Sequence, residues 1–100
     1  MKSFTLNRTQ FTVGCNAAEN WALLSKADKN HYWVHLDDAA SAHCIIHDDE
    51  PLAEEFEFAR QLILDQTKKA SRNAKIVYAR VRHLKRGDKV GEVIVLQRVT

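Results

Sequence analysis

The chain has 100 residues, of which 45% are hydrophobic and 28% charged, with three glycines and one proline. This length fits one compact domain, residues 1–100, and the composition excludes a disordered or low-complexity chain. The net charge of +2 is unevenly distributed: residues 1–67 hold 5 Lys/Arg against 11 Asp/Glu, and residues 68–100 hold 10 against 2. This asymmetry favours a polyanionic partner; the alternative is a solvated basic face balanced by an acidic one.

The sequence gives no sign of membrane insertion or export. No apolar run approaches the ~18 residues of a transmembrane helix, and Met1–Phe4 lacks the apolar region of a signal peptide. The two cysteines, Cys15 and Cys44, do not make a disulfide framework. We therefore expect reduced cysteines, no membrane partner and a cytoplasmic or nuclear location.

The first third of the chain predicts a hairpin followed by a helix. Residues 3–7 and 11–14 read as strands separated by a turn. Asn16 is a good N-cap, and Glu19 three residues later suits a capping box. The helix is expected to end near residues 26–30.

Two strands are predicted next, at His31–Leu36 and Ala42–His47, joined by a short acidic link. Period two places Trp33 and His35 on one face of the first strand, and the neighbouring strand carries His43. The short link favours a hairpin-like connection, so we expect the two histidines to lie close together.

A longer helix is predicted to start in the acidic segment 48–50, with Pro51 at its first position. Its apolar stripe continues to about Lys69. Lys75–His83 is then a long strand, Leu84–Gly91 a basic loop and Glu92–Leu96 a last strand. The predicted fold is α+β: a single, mainly antiparallel sheet with two helices, the longer one packed on one face.

The histidines allow several interpretations. Together with the cysteines and His47 they could supply zinc ligands, or a histidine could pair with a cysteine nucleophile. The spacings match no tight zinc pair, and no glycine-rich elbow precedes either cysteine. We therefore expect no metal, no cofactor and no catalytic residue. His35, Ser41 and His43 are expected to hydrogen-bond within the sheet, alone or together with ligand contact.

The basic segment is the strongest candidate for binding. Strand parity puts Tyr78, Arg80 and Arg82 on one face, where an aromatic ring beside arginines suits base stacking and phosphate contact. The alternative places Tyr78 in the core and leaves the arginines as surface charges. The predicted nucleic-acid-binding residues are Lys75, Tyr78, Arg80, Arg82, Lys85, Arg86 and Lys89, with His35, Ser41 and His43 on the adjoining surface.

The order of these motifs resembles the NFACT-R domain, the RNA-binding module of ribosome quality-control factors. The matching pieces, spread over about Val13 to Val95, are Gly14-Cys15-Asn16 with Asn20, Trp33-Val34-His35, Ser41-Ala42-His43, Val77-Tyr78-Ala79 and the basic stretch His83–Gly91. The chain departs from the family pattern at Cys15, at Val34 and at Asn30-His31-Tyr32.

The resemblance implies a non-catalytic domain that binds structured RNA, such as tRNA or rRNA, through a basic hairpin near the end of the chain. It also implies a possible association with the ribosome or with translation, and DNA is a second possible ligand. A protein-interaction module that docks an acidic or ribosomal partner is the alternative from another class, and a small metal-dependent enzyme is the third.

Overall fold

The computed structural model describes residues 1–37, 41–67 and 73–99. In chain order the elements are β1 Lys2–Leu6, β2 Thr9–Gly14, α1 Ala17–Lys26, β3 Tyr32–Leu36, β4 His43–Ile46, α2 Ala53–Gln66, β5 Ile76–Arg80, β6 Leu84–Arg86 and β7 Val93–Val95. Strands β1 to β5 form one sheet in the order β1-β2-β4-β3-β5, with every neighbouring pair antiparallel. The α+β prediction is confirmed, with the addition of a second, two-stranded sheet of β6 and β7. No helix of the described residues is long and apolar enough to cross a membrane.

The five-stranded sheet has a different cover on each face. Helix α2 lies on the face that carries Val34 and Cys44, as predicted for the longer helix. Leu23 of α1 and the β6–β7 hairpin lie on the opposite face, against Trp33 and Ile45. The predicted alternation along β3 is therefore confirmed. It places the His35 side chain, with that of His43 on β4, on the face of the sheet that α1 and the hairpin cover.

The N-terminal elements follow the sequence prediction closely. Asn7 and Arg8 have φ angles of 55° and 69°, as the two-residue turn between antiparallel strands requires. The Asn16 side chain accepts the Glu19 N–H at 2.9 Å and caps α1. The Glu19 carboxylate reaches back one residue further than a capping box does and accepts the Cys15 N–H at 3.0 Å.

Helix α2 begins later and ends earlier than predicted. Its first residue is Ala53, so the prediction of Pro51 at the first helical position is wrong. The buried Glu55 carboxylate accepts the Leu52 N–H at 2.8 Å and closes the first turn instead. The helix ends at Gln66, and Lys68 to Arg72 lie outside the described residues.

The prediction of one strand over Lys75–His83 is wrong beyond Arg80. Residues 81–83 form a turn of 3-10 helix, fixed by a 2.9 Å hydrogen bond from the Val81 N–H to the His31 carbonyl. The chain then pairs as β6 with β7, so the first three residues of the expected 84–91 loop are a strand. Because of this turn, the β6–β7 hairpin packs on the face of the sheet that carries the histidines.

Candidate functional site

A groove of about 860 Å³ opens between the large sheet, the start of α1 and the β6–β7 hairpin. We call it the histidine groove. The sheet contributes Trp33, His35 and His43 to its floor, and Ser41 lies at the same end. Its walls are Cys15, Asn16, Ala17 and Asn20 on one side and Val90 to Val93, Val95 and Arg98 on the other.

The two histidines meet as predicted. Their ring centroids are 4.6 Å apart at 85°, and His35 also stacks on Trp33 at 5.2 Å and 6°. The Trp33 indole N–H donates to His43 Nδ1 at 3.1 Å, so neutral His43 carries its proton on Nε2. His35 Nδ1–H donates to the Leu36 carbonyl at 2.5 Å, which leaves Nε2 as an acceptor.

Burial keeps both imidazoles neutral near pH 7. It lowers the pKa of His43 to about 3, helped by the adjacent His35. It also lowers the pKa of His35, against the opposing effects of the Leu36 carbonyl and the Asp37 charge. The groove floor therefore offers one N–H donor and one nitrogen acceptor, and no positive charge.

Ser41 holds the strand ends beside the histidines. Its hydroxyl accepts the Leu36 N–H at 3.1 Å and donates to the Ala42 carbonyl at 2.9 Å. The Ala42 N–H in turn donates to the Thr67 hydroxyl at 3.1 Å. Its hydrogen bonds show a structural role for Ser41 at the edge of the groove.

Asn20 is the unsatisfied polar group of the groove wall. The residue is 7% exposed, and its Oδ1 is buried without a hydrogen-bond partner among the described residues. A Cβ at Gly14 would lie 2.4 Å from this oxygen, so glycine there makes room for the Asn20 carboxamide. This contact explains the Gly14 and Asn20 spacing noted in the sequence.

Charges at the groove are mostly paired or negative. Arg98 forms a two-point ion pair with Asp37, with N–O distances of 3.0 and 3.2 Å. Glu92 accepts the Asp88 N–H at 3.0 Å through its carboxylate. Among the residues that the structure describes, the lining therefore carries two carboxylates and one guanidinium beside its neutral histidines.

A second surface, beside the groove, carries the exposed cations. We call it the basic surface; its members are Lys26, Lys29, Arg82, Lys85 and Arg86, all exposed. The end of α1 and the 3-10 turn meet here, because the Arg82 N–H donates to the Lys29 carbonyl at 3.0 Å. The Arg86 guanidinium lies 5.0 Å from the Trp21 ring centroid and donates to the Ser25 hydroxyl. A cleft of about 400 Å³ lies between Lys29 and Arg86.

The predicted basic segment is thus divided. Arg82 and Arg86 lie on the basic surface, Lys85 lies between them in sequence on the outward face of the hairpin opposite Ile94, and Lys89 lies at the hairpin tip beside the groove. Lys75 immediately precedes β5, at the opposite end of that strand from Arg82.

Two other predicted site residues pack beneath the sheet on the α2 side. Tyr78 contacts Phe56 with ring centroids 5.2 Å apart. Arg80 covers the Tyr32 ring at 4.5 Å and donates to the Asn30 and Asp49 carbonyls at 2.6 and 3.1 Å. The prediction that Tyr78, Arg80 and Arg82 share one strand face is wrong, because the strand ends at Arg80.

Sequence reasoning missed Lys26 and Lys29 as members of the basic surface, and Trp21 as the ring under Arg86. They lie in the acidic part of the chain, more than fifty residues from Arg82 and Arg86. Only the tertiary contact between α1 and the hairpin brings them together. The sequence signal was limited to the position of Lys26 in the last turn of a helix.

The histidine groove is not where potential metal ligands cluster. Among residues 1–37, 41–67 and 73–99, three such groups come within 4.8 Å of one another at Asp28, His31 and Asp49. Cys44 lies buried on the α2 side of the sheet, where burial raises its thiol pKa to about 12. His43 and Cys44 therefore face opposite sides of β4, as strand parity predicted.

Comparison with known proteins finds a similar fold. No family model matches the sequence, and no curated protein matches it significantly. The C-terminal part of the fibronectin/fibrinogen-binding protein from Streptococcus suis has a similar structure, with a TM-score of 0.81 and 25% sequence identity. The match covers 92% of this chain and 39% of that chain, so the similarity concerns one part of a larger protein.

Proposed function

We propose that this chain is a non-catalytic nucleic-acid-binding domain of the NFACT-R kind, which binds structured RNA such as tRNA or rRNA. The observation that carries the proposal is the basic surface. Five exposed cations lie at and just after the end of α1, in the 3-10 turn and on β6, and two of them, Lys29 and Arg86, line a cleft. Such a cluster attracts phosphates through counterion release.

The side chains of this surface are available for a ligand. Lys26, Lys29, Arg82 and Lys85 form no ion pair with any residue that the structure describes. Trp21 and Arg86 add a partly exposed indole under a guanidinium, a pair on which an unpaired base can stack. The surface combines phosphate contact with stacking, which favours RNA with exposed loops over a uniform duplex.

The groove chemistry supports a binding role without catalysis. A histidine with a pKa of about 3 is a poor general base near neutral pH. The buried Cys44 lies on the other side of the sheet, so its thiol does not face the groove histidines. We propose that the histidines organise a binding surface.

The test is a titration of labelled tRNA and duplex DNA at two salt concentrations. If most of the five cations contact phosphates, the logarithm of the affinity for tRNA falls with a slope of about −3 to −4 against the logarithm of salt. The double variant Arg82→Glu/Lys85→Glu is expected to lose at least tenfold in affinity and about two units of slope. Its matched control is Lys2→Glu/Arg8→Glu, at the opposite edge of the sheet. No binding at low salt, or equal losses in both variants, would contradict the proposal.

A protein-interaction module is the second candidate. The structurally similar protein is named for binding fibronectin and fibrinogen. The hairpin and the segment after it also expose four apolar side chains, namely Val90, Ile94, Leu96 and Val99. Pull-down with and without nuclease separates the two functions, because a directly bound protein survives digestion of RNA.

A further inference from the structure

We propose that the histidine groove binds one unpaired nucleobase that carries an exocyclic amino group, while the basic surface holds the phosphates of the same strand. This inference rests on the proposed function and deepens it, because it assigns base recognition to a second site. The cations of the basic surface cannot distinguish bases. A groove lined with fixed hydrogen-bonding groups can.

The first observation is the Asn20 carboxamide. A buried oxygen without a partner is unfavourable, and native proteins seldom retain one. Asn20 Oδ1 is such an oxygen, in a residue that is 93% buried and lines the groove. It faces Gly14 at the groove wall, and an N–H donor that reaches it from the groove would satisfy it. The exocyclic amino groups of cytosine, adenine and guanine are donors of this kind.

The second observation is the pair of imidazoles. His43 Nε2–H is a donor and His35 Nε2 an acceptor, and each tautomer is fixed by a hydrogen bond at Nδ1. Neither Nε2 atom has a hydrogen-bond partner within the described parts of the chain. With Asn20, the groove offers one donor and two acceptors to a flat, neutral ligand.

The third observation is charge. The groove has neutral histidines, and the Arg98 guanidinium in its wall is held by Asp37. The Glu92 carboxylate lies on the hairpin wall. Among the described lining residues a phosphate would meet no unpaired cation and would be repelled by Glu92, whereas an uncharged base would not be repelled. The volume of about 860 Å³ admits a base with its sugar.

The fourth observation is the position of the groove beside the basic surface. Val93 lines the groove and is the cross-strand partner of Arg86, so the two sites lie on the two sides of one narrow hairpin. Lys89, at the hairpin tip next to Val90 and Gly91, borders the groove entrance. A strand whose base enters the groove therefore keeps its phosphates near Lys89 and Arg86.

The test compares oligocytidylate with oligouridylate of equal length. The two have the same charge and similar stacking, but only cytosine has an exocyclic amino group. We expect the wild type to bind oligocytidylate about tenfold more tightly, the usual value of one good base contact. Asn20→Ala should abolish this preference and keep the salt-dependent binding. Gln10→Ala, which removes a carboxamide from an exposed position of β2, is the matched control and should keep both.

Equal binding of the two oligomers by the wild type, or a preference that survives Asn20→Ala, overturns the groove proposal and leaves the proposed function standing. If neither the oligomers nor tRNA bind at low salt, the proposed function fails. Free cytidine then tests the groove through the NMR signal of the Trp33 indole N–H. A shift that disappears in Asn20→Ala supports the groove proposal, and no shift overturns it.

Discussion

His43 links the stability of this protein to pH through one imidazole. Its pKa is about 3 in the folded chain and near 6.5 in the unfolded chain, so between these values only the unfolded state binds the proton. Stability therefore falls as the pH is lowered through this window, by up to about 1.4 kcal/mol per pH unit.

We expect His43 to lower the free energy of unfolding by about 1.6 kcal/mol between pH 6.5 and 5.0, above the range where most carboxylates titrate. Urea denaturation at several pH values measures it. In His43→Asn, the side-chain oxygen replaces Nδ1 as the acceptor for Trp33 but does not titrate. The free energy of unfolding of this variant should depend less steeply on pH than that of the wild type. Equal slopes in the two proteins would contradict the assignment of this pH dependence to His43.

At the residue scale, the sequence predicted that His35 and His43 meet, because strand parity and a short link are local properties. It did not predict the tautomers, which depend on the Trp33 indole and the Leu36 carbonyl. It also identified Asn20 only as part of a motif. The missing partner of its oxygen is a property of burial, which a sequence does not display.

At the scale of elements, the junction between β2 and α1 depends on the contact between Gly14 and Asn20. A methyl group at position 14 would overlap Oδ1 of Asn20, at 2.4 Å, and approach the Asn20 nitrogen, at 3.2 Å. We expect Gly14→Ala to destabilise the fold by about 1–3 kcal/mol. Asn20→Ala, which removes an unsatisfied oxygen, should be nearly neutral or stabilising.

The double variant Gly14→Ala/Asn20→Ala should recover part of the loss, since the closest overlap is with the side chain. Thermal or urea unfolding of all four proteins gives the coupling energy between the two positions. If the stability changes of the two single variants simply add, the overlap between a Cβ at position 14 and the Asn20 oxygen does not cause the loss. The spacing of Gly14 and Asn20 would then have another cause.

The elements were predictable where local chemistry decides them. The Asn7-Arg8 turn, the Asn16 cap and the strands of the two histidines all follow from neighbouring residues. The strand at Lys75–His83 was extended too far because Val81 stays buried beside Ala79 after the strand has ended. The alternation of buried residues therefore continues past the end of the strand. The turn itself is fixed by a hydrogen bond to His31, which is distant in sequence.

For the whole molecule, the basic third of the sequence contributes to two adjacent regions with different chemistry, the basic surface and the histidine groove. The α+β class and the cover of one sheet face by the longer helix followed from hydrophobic patterning. The division between a cationic surface and a groove with neutral histidines did not, because it depends on where the hairpin meets α1. The sequence located the cations of the hairpin, and the fold added Lys26 and Lys29 to them.

The most direct test of nucleic-acid binding uses the two tryptophans of the chain, whose indole N–H groups give two separate NMR signals. The Trp21 ring lies under Arg86 of the basic surface, while its N–H donates to the Glu92 carbonyl at 3.0 Å; the Trp33 N–H donates to His43 in the groove. Titration of the labelled protein with tRNA should shift the Trp21 signal at low salt, and added salt should reverse the shift. The Arg82→Glu/Lys85→Glu variant should require at least tenfold more RNA for the same shift. A Trp21 signal that stays unchanged at saturating tRNA would contradict binding at the basic surface.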